Sequence, residues 1–191
     1  GIGDDSRIGH HFLKPGPGWG GSCFPKDTKA MSGIAEDAGY DFAFLKGVIE
    51  VNNEQFDRVV EKIRSSAGGS LEGVRIGVLG LTFKAGTDDM RDSPSIEITG
   101  RLVEAGAIVS AYDPVAKDCP IEAVNVVDDA YAAAEGADVL AILTEWEEFK
   151  FVDLDKLAEV MNTKHIVDGR NLLDRGAVRR RGFTYQGIGR S

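Results

Sequence analysis

The sequence predicts an α/β fold in which a mostly parallel sheet carries helices on both faces and follows a helical segment. After residue 74, short β-branched runs alternate with stretches of helical periodicity, a pattern typical of parallel sheets covered by helices. From residue 42 to residue 63, apolar residues recur at helical intervals. With 191 residues, the chain has room for one large domain or for a medium domain with an appendage.

The first part of the chain predicts a loop and then a helix. Residues 1–26 are rich in glycine and proline and show little periodicity, so we expect a loop. The stretch "KDTKAMSGIAEDAG" (26–39) spaces its alanines and isoleucine at helical intervals. Asp27 and Thr28 are candidates for its N-cap, and Gly39 is the expected end.

The remaining elements follow in order. The apolar pattern over 42–63 predicts a long helix with a bend near Gly47, and the small residues of 65–73 predict a connection. A further helix is expected over 93–106. The predicted strands are 74–81, 107–113, 137–143, 164–169 and 183–189.

The composition argues against several classes of partner. Lysine and arginine total 22 against 31 acidic residues, and the net charge of -9 opposes extensive contact with a nucleic-acid backbone. Apolar runs are far shorter than the roughly 20 residues that span a bilayer, and no secretory leader opens the chain, so we expect a cytoplasmic protein without membrane contact. Cys23 and Cys119 should be reduced, and the spacing of the histidines predicts no metal site.

The stretch "GPGWGGSCFPKD" (16–27) places Cys23 among glycines and prolines. Glycines let a backbone approach a ligand closely, so a thiol among them is exposed to whatever the loop holds. The thiolate is the nucleophilic form, and Lys26 together with the N-terminus of the next helix would stabilise it. Asp27 can cap that helix or orient a water molecule. The alternative is a structural loop in which Cys23 is a small buried residue.

A second group of candidate residues follows the predicted strands. "GLTFKAGTDDMRDSPS" (80–95) supplies Lys84 and Arg91 as phosphate-binding cations, and "VDGRN" (167–171) supplies Arg170. Ligands of parallel sheets bind beyond the carboxyl ends of the strands, where these loops are expected. The stretch "GVLGLT" departs from GxGxxG, so the dinucleotide fingerprint is absent. Solvated charged loops remain the alternative interpretation.

Four motifs, in this order, resemble the UDP-glucose 6-dehydrogenase branch of the nucleotide-sugar dehydrogenase family. They are "RIGHHFLKPGPGWGGSCFPKDTKAM", "GVLGLTFKAGTDDMRDSPSIEI", "VDGRN" and "GFTYQGIG". The family oxidises the C6 alcohol of a nucleotide sugar to a carboxylate, using two NAD per turnover. The resemblance therefore implies a Rossmann-like sheet, NAD as cofactor and a homodimer for the full-length enzyme. Ser22 before the cysteine and Phe24 after it favour UDP-glucose over other nucleotide sugars.

The resemblance also implies roles for individual residues. The Cys23 thiolate attacks an enzyme-bound aldehyde, and Asp27 matches a carboxylate associated with activation of the water that hydrolyses the thioester. Positions that match contacts to the nucleotide sugar are Arg7, Phe12, Leu13, Lys14, Gly20, Lys84 and Arg170. Among these, Arg7 matches an arginine donated across the dimer interface, and Phe12 and Leu13 contribute backbone. Lys26 and Arg91 match positions on the cofactor side.

The same resemblance divides the chain into two parts. Residues 1–67 would hold the cysteine loop and the remainder of a central helical domain, and residues 68–191 would form a UDP-sugar-binding α/β domain. Members of the family begin with an NAD-binding domain that this sequence lacks, so we expect a truncated portion that is inactive by itself. The alternatives are a non-catalytic module that binds nucleotide sugars and a dehydrogenase for another substrate such as GDP-mannose.

Overall fold

The structure is a computed structural model that describes residues 1–190, apart from the side chains of His11 and Phe12. Two short 3-10 helices, Ile2–Asp4 and His10–Leu13, open the chain, and a third spans Glu147–Phe151. The other elements are α1 (Phe24–Asp37), α2 (Ala43–Ser66), β1 (Arg75–Leu79), α3 (Pro94–Glu104), β2 (Ile108–Tyr112), β3 (Asn125–Val126), α4 (Ala130–Ala134), β4 (Val139–Ile142), α5 (Leu154–Val160), β5 (His165–Asp168), α6 (Arg175–Arg180) and β6 (Thr184–Gly187).

Within residues 1–190, six strands form one sheet in the order β3-β2-β1-β4-β5-β6, and each neighbouring pair is parallel. The predicted α/β class and each predicted strand are confirmed. The sequence did not predict β3, because two residues are too few to show a periodic pattern. The strand order reverses between β1 and β4, so the loops after these two strands border a crevice at the carboxyl edge of the sheet.

Helices cover both faces of the sheet. On one face α2 and α3 pack against alternate strand residues, including Val78 of β1 and Ala141 of β4. On the other face α4, α5 and α6 pack against the intervening residues, such as Leu140 and Ile142 of β4. All four residues of β4 are buried, as expected of a central strand in a sheet with two covered faces.

The two halves of α2 have different neighbours. Its C-terminal half buries Phe56, Val59, Val60 and Ile63 against the sheet, at the helical spacing that the sequence predicts. Its N-terminal half leaves apolar side chains exposed, among them Phe44 at 79%. The helix continues through Gly47 without interruption.

Candidate functional site

Cys23 is the N-cap of α1, which begins at Phe24. The prediction that this helix starts at residue 26 with Asp27 or Thr28 as its cap was wrong. Thr28 lies inside the first turns, where its Oγ1 donates a hydrogen bond to the carbonyl oxygen of Phe24. The exposed Cys23 thiol is therefore at the positive end of the helix dipole. It lies closer to the start of the helix than the sequence predicts, because the helix begins at Phe24.

Asp27 lies on the same side of α1 as Cys23, because residues four apart face each other on a helix. Its backbone N–H donates to the carbonyl oxygen of Cys23 at 2.8 Å. Its carboxylate pairs with Lys26 Nζ at 2.8 Å, and both side chains are exposed. That pairing is the main reason why the pKa of Lys26 is raised, and the nearby Cys23 thiolate adds a smaller contribution. A thiol, a carboxylate and an ammonium group thus share the first turn of α1.

Polar side chains of α2 hold the cysteine loop, residues 14–23. The Asn52 side chain accepts a hydrogen bond from the Trp19 backbone N–H at 2.8 Å and donates one to the Trp19 carbonyl oxygen at 3.1 Å. Gln55 Nε2 donates to the carbonyl oxygen of Gly16 at 3.0 Å. Since Asn52 is buried, this part of the loop is fixed to a helix that also packs on the sheet.

Gly20 brings the cysteine loop against the start of α3. A Cβ at this position would overlap the carbonyl oxygen of Asp92 and the ring of Pro94. The close approach is also marked by a hydrogen bond from the Gly21 N–H to the Asp92 carbonyl oxygen at 3.2 Å. Gly20 therefore has a packing reason to lack a side chain, in addition to its expected place at the ligand.

Gly20→Ala should lower the free energy of unfolding by about 1–3 kcal/mol, because the added methyl group has backbone on one side and a ring on the other. The matched control is Gly33→Ala inside α1, where a Cβ meets open space and alanine should stabilise the helix by about 0.5–1 kcal/mol. Denaturant titration of both variants measures the difference. Equal stabilities for the two would contradict the close packing of the loop.

A cavity of about 660 Å³ lies between the cysteine loop and the carboxyl edge of the sheet. The predicted site residues on its wall are Lys14, Gly20, Cys23, Lys84 and Arg170, and they are joined by residues such as Trp19, Phe83 and Glu145. Its volume suits a small-molecule ligand. The fold therefore brings together residues that are more than 150 positions apart in the sequence.

Arg170 lines this cavity and is mostly buried. Its Nε donates to the carbonyl oxygen of Leu143 at 2.8 Å, and its Nη2 donates to that of Phe83 at 3.2 Å. Burial lowers the pKa of the guanidinium, and the nearby charge of Glu145 partly offsets this effect. Because arginine keeps its charge in proteins, Arg170 remains a cation that ties the loops after β1 and β4 together.

Lys84 contrasts with Arg170 because it is exposed. Its Nζ lies over the ring of Phe83, 5.1 Å from the ring centre, within the range of a cation–π contact. No ion pair of Lys84 is found among the residues that the structure describes. A cation in this position is available to a negatively charged ligand.

Asp113, which follows β2, holds the loops of the crevice in place. Its Oδ2 accepts hydrogen bonds from the backbone N–H groups of Leu81 and Thr82, from the Thr82 hydroxyl and from Trp146 Nε1, at 2.9–3.2 Å. Burial would raise the pKa of this carboxyl, but several backbone hydrogen bonds outweigh it, so the pKa is lowered. An ionised carboxylate thus connects the ends of β1, β2 and β4.

Some predicted residues lie away from the cavity wall. Arg7 makes a two-point ion pair with Asp5 in the opening segment, and Leu13 ends a 3-10 helix with its side chain partly exposed. Phe12 belongs to the same 3-10 helix, and its side chain is outside the described atoms. The structure of this single chain therefore shows no contact of Arg7 with the cavity within residues 1–190.

Arg91 lies in the loop before α3 and pairs with Asp89 through Nε at 2.9 Å and Nη2 at 2.8 Å. The pairing lowers the pKa of Asp89 to about 2 and is the main reason why the pKa of Arg91 is raised. The Cys23 thiolate contributes to the raised pKa of Arg91 as it does for Lys26. Both predicted cofactor-side cations thus lie within electrostatic range of the thiol.

Two other kinds of feature are absent from residues 1–190, a metal-binding cluster and a membrane-spanning helix. Within residues 1–190, no three His, Cys, Asp or Glu side chains are grouped as a metal site would need. Among the helices described, none combines the length and the apolar character that crossing a membrane requires.

Comparison with known proteins identifies the family. The model of the UDP-glucose/GDP-mannose dehydrogenase family, UDP binding domain, matches residues 77–175, and the model of the central domain of the same family matches residues 1–54. The chain belongs to the UDP-glucose/GDP-mannose dehydrogenase family. The predicted resemblance is thereby confirmed.

Individual members of the family are similar over the whole chain. A UDP-glucose 6-dehydrogenase of Rhizobium meliloti is 45% identical over 100% of this chain and 44% of its own length, and TuaD of Bacillus subtilis is 45% identical over 100% and 42%. A solved UDP-glucose dehydrogenase of Pyrobaculum islandicum superposes with a TM-score of 0.81 at 34% identity, over 100% of this chain and 42% of that one. The chain thus spans less than half the length of these relatives.

The connection between β1 and α3 does not form a cradle for the pyrophosphate of NAD. Such a cradle needs a short glycine-rich turn that exposes the N-terminus of the next helix. After β1, Gly80 instead packs against Thr144, and the long connection 81–93 follows it. Ser93, Pro94 and Ser95 at the start of α3 are buried, and Ser93 Oγ accepts from the Ser95 N–H and donates to the Leu81 carbonyl oxygen. NAD does not fit this helix N-terminus.

Three residues that shape the site were given no individual role from the sequence, although two of them, Asp113 and Glu145, lie at the carboxyl ends of predicted strands where a ligand is expected. Asn52 had a usable signal, because it interrupts the apolar stripe of a long helix with a residue of low helix propensity. Asp113 and Glu145 each follow a predicted strand, but many acidic residues do so without forming a site. Their importance comes from contacts with residues far away in the sequence, which periodicity does not report.

Proposed function

We propose that the complete protein oxidises the C6 alcohol of UDP-glucose to a carboxylate with NAD, and that this chain supplies the nucleophile and much of the nucleotide-sugar site. The observation that carries the proposal is the cavity in which Cys23 lies beside Lys14, Lys84 and Arg170. A nucleophile near cations suits a substrate that combines a reactive carbon with a diphosphate. Similarity to UDP-glucose 6-dehydrogenases supports the choice of substrate.

Two steps of the proposed reaction use residues of this chain. The Cys23 thiolate, at the N-terminus of α1, attacks the carbonyl carbon of the bound aldehyde, so that a C–S bond forms while the C=O π bond breaks and its electron pair moves to the oxygen, which takes up a proton. Later, Asp27 accepts a proton from the water that attacks the thioester carbon; a C–O bond forms, the C–S bond breaks and the Cys23 thiolate leaves. The place of Asp27 on the same side of α1 as Cys23 suits this role. NAD supplies the hydride acceptor for the oxidations, and Lys26 and Arg91 are the residues proposed to face it.

We further propose that residues 1–67 and 68–191 act as two functional parts of the site. The first part carries the thiol, and the second carries Lys84 and Arg170 on the sheet. Because the connection after β1 forms no cradle for NAD, we expect the isolated chain to hold the nucleotide sugar without oxidising it.

Calorimetry with the 191-residue chain tests the proposal. UDP-glucose should bind saturably, whereas GDP-mannose and NAD should give no saturable heat. In parallel, NADH fluorescence should stay at background when UDP-glucose and NAD are both present. Preferred binding of GDP-mannose would contradict the choice of substrate. If no nucleotide sugar bound, the proposal that this chain carries much of the nucleotide-sugar site would be wrong. Formation of NADH would contradict the proposed inactivity of the isolated chain.

A module that only binds nucleotide sugars is the competing function, and the match of residues 77–175 to a UDP binding domain favours it. Labelling of the two thiols with iodoacetamide separates the alternatives. Cys23 is exposed at a helix N-terminus, whereas burial raises the pKa of the half-buried Cys119. We expect Cys23 to react at least about tenfold faster and UDP-glucose to protect it. Equal rates, or no protection despite binding, would favour the binding module. Cys23→Ser identifies the labelled site.

A homodimer of the full-length protein is part of the proposal. A hollow of about 770 Å³ shares Lys14 and Arg170 with the cavity and continues along exposed Phe44, Val48 and Val51 of α2. Exposed apolar side chains in one patch are typical of an interface and support the proposal. Light scattering of the full-length protein would measure the oligomeric state.

A further inference from the structure

The cavity contains a carboxylate that the proposed reaction does not use. Glu145 follows β4, and its Oε2 is shielded from solvent at 3.1 Å from Arg170 Nε. That N–H donates to the Leu143 carbonyl oxygen, so its contact with Glu145 is one between charges and not a hydrogen bond. Within the described part of the chain, Oε2 accepts no hydrogen bond. A buried carboxylate oxygen without a donor is uncommon.

The surroundings of Glu145 limit what this carboxylate can bind. Arg170 holds the inner oxygen by charge, while 38% of the Glu145 side chain stays exposed where it lines the cavity. An ionised carboxylate only accepts hydrogen bonds. It repels the phosphates that Lys14 and Lys84 attract, and it attracts hydroxyl groups. The cavity wall thus carries cations suited to a diphosphate and one fixed acceptor suited to a hydroxyl.

We infer that Glu145 is a specificity-determining residue that accepts a hydrogen bond from a hydroxyl group of the bound nucleotide sugar. The inference rests on the proposed function, since it takes the ligand to be a nucleotide sugar. The hexose is the expected source of the hydroxyl, because it carries several of them and must approach Cys23 in the same cavity. A ribose hydroxyl is the other source of the same chemistry.

The test compares Glu145→Gln with Glu147→Gln, both in the 191-residue chain. Glutamine at 145 would turn its carbonyl oxygen toward Arg170, which leaves an NH₂ group toward the cavity that cannot accept. Glu147 is a matched control, because it lies two residues further on and pairs with Lys150 at 2.8 Å on the exposed surface. Calorimetry with UDP-glucose, UDP and 2′-deoxy-UDP separates hexose from ribose, and thermal unfolding checks the fold of both variants.

Glu145→Gln should weaken the binding of UDP-glucose about tenfold, while UDP should bind as well as it does to the wild type, or better. Glu147→Gln should leave the affinity for both ligands unchanged. If Glu145→Gln bound UDP-glucose and UDP more weakly but bound 2′-deoxy-UDP as well as the wild type does, the ribose would be the source of the hydroxyl group. Equal weakening of all three ligands would show that Glu145 only positions Arg170, and unchanged binding of UDP-glucose would also overturn the inference. If the wild-type chain bound no UDP-glucose, the proposed function itself would fail.

Discussion

Replacing Arg170 with methionine should weaken UDP-glucose binding about 100-fold and lower the free energy of unfolding by about 3 kcal/mol. The guanidinium donates to the carbonyl oxygens of Leu143 and Phe83 and lies beside Glu145. Methionine fills similar space but donates no hydrogen bond, so two carbonyl groups lose their donor and a carboxylate loses its counter-charge. Calorimetry and denaturant titration measure the two effects.

Lys84→Met separates binding from stability. Lys84 is exposed, so its replacement should change the free energy of unfolding by less than about 0.5 kcal/mol while UDP-glucose binding still weakens. If Arg170→Met destabilised the chain yet bound UDP-glucose normally, Arg170 would be a purely structural residue. Unchanged binding by Lys84→Met would remove Lys84 from the proposed site.

Asp113→Ala should lower the free energy of unfolding by about 3 kcal/mol or more, the second large effect. The substitution leaves buried backbone N–H groups without an acceptor, including those of Leu81, Thr82 and Ala116. Asp113→Asn keeps one acceptor oxygen and should cost less than alanine. Denaturant titration at neutral pH tests this order, and similar losses for both variants would show that packing, not hydrogen bonding, is responsible.

The same carboxylate predicts a dependence on pH. Its folded pKa lies below the unfolded value of 3.8, so its stabilising contribution is complete above that value and is lost as the pH falls through the lower folded pKa. Asp168 acts in the opposite direction, because burial raises its pKa. The wild type should therefore lose more stability below about pH 4 than Asp113→Asn does. If the free energy of unfolding fell equally with pH in the wild type and in Asp113→Asn, this role of Asp113 would be contradicted.

The sheet was predictable because each of its longer strands is a buried run between turn signals, and such runs are local in the sequence. The start of α1 was also local but was placed too late. Pro25 sits in the first turn, where proline is tolerated, and so marks the true beginning of the helix. The position of Arg170 beyond the carboxyl end of a strand could be predicted from its motif. Its hydrogen bonds to Leu143 and Phe83 could not, because they depend on the order of the strands.

The role of α2 at both the loop and the sheet has a consequence for insertions and deletions. Asn52 fixes the loop that carries the thiol, and Phe56 to Ile63 fix the same helix to the sheet that carries the cations. One residue inserted between them would rotate Asn52 by about 100° and move it about 1.5 Å relative to the sheet. Point substitutions on the exposed side of α2 leave this spacing intact. Relatives that share the chemistry should therefore vary in the surface residues of this helix but keep its length between these two contacts.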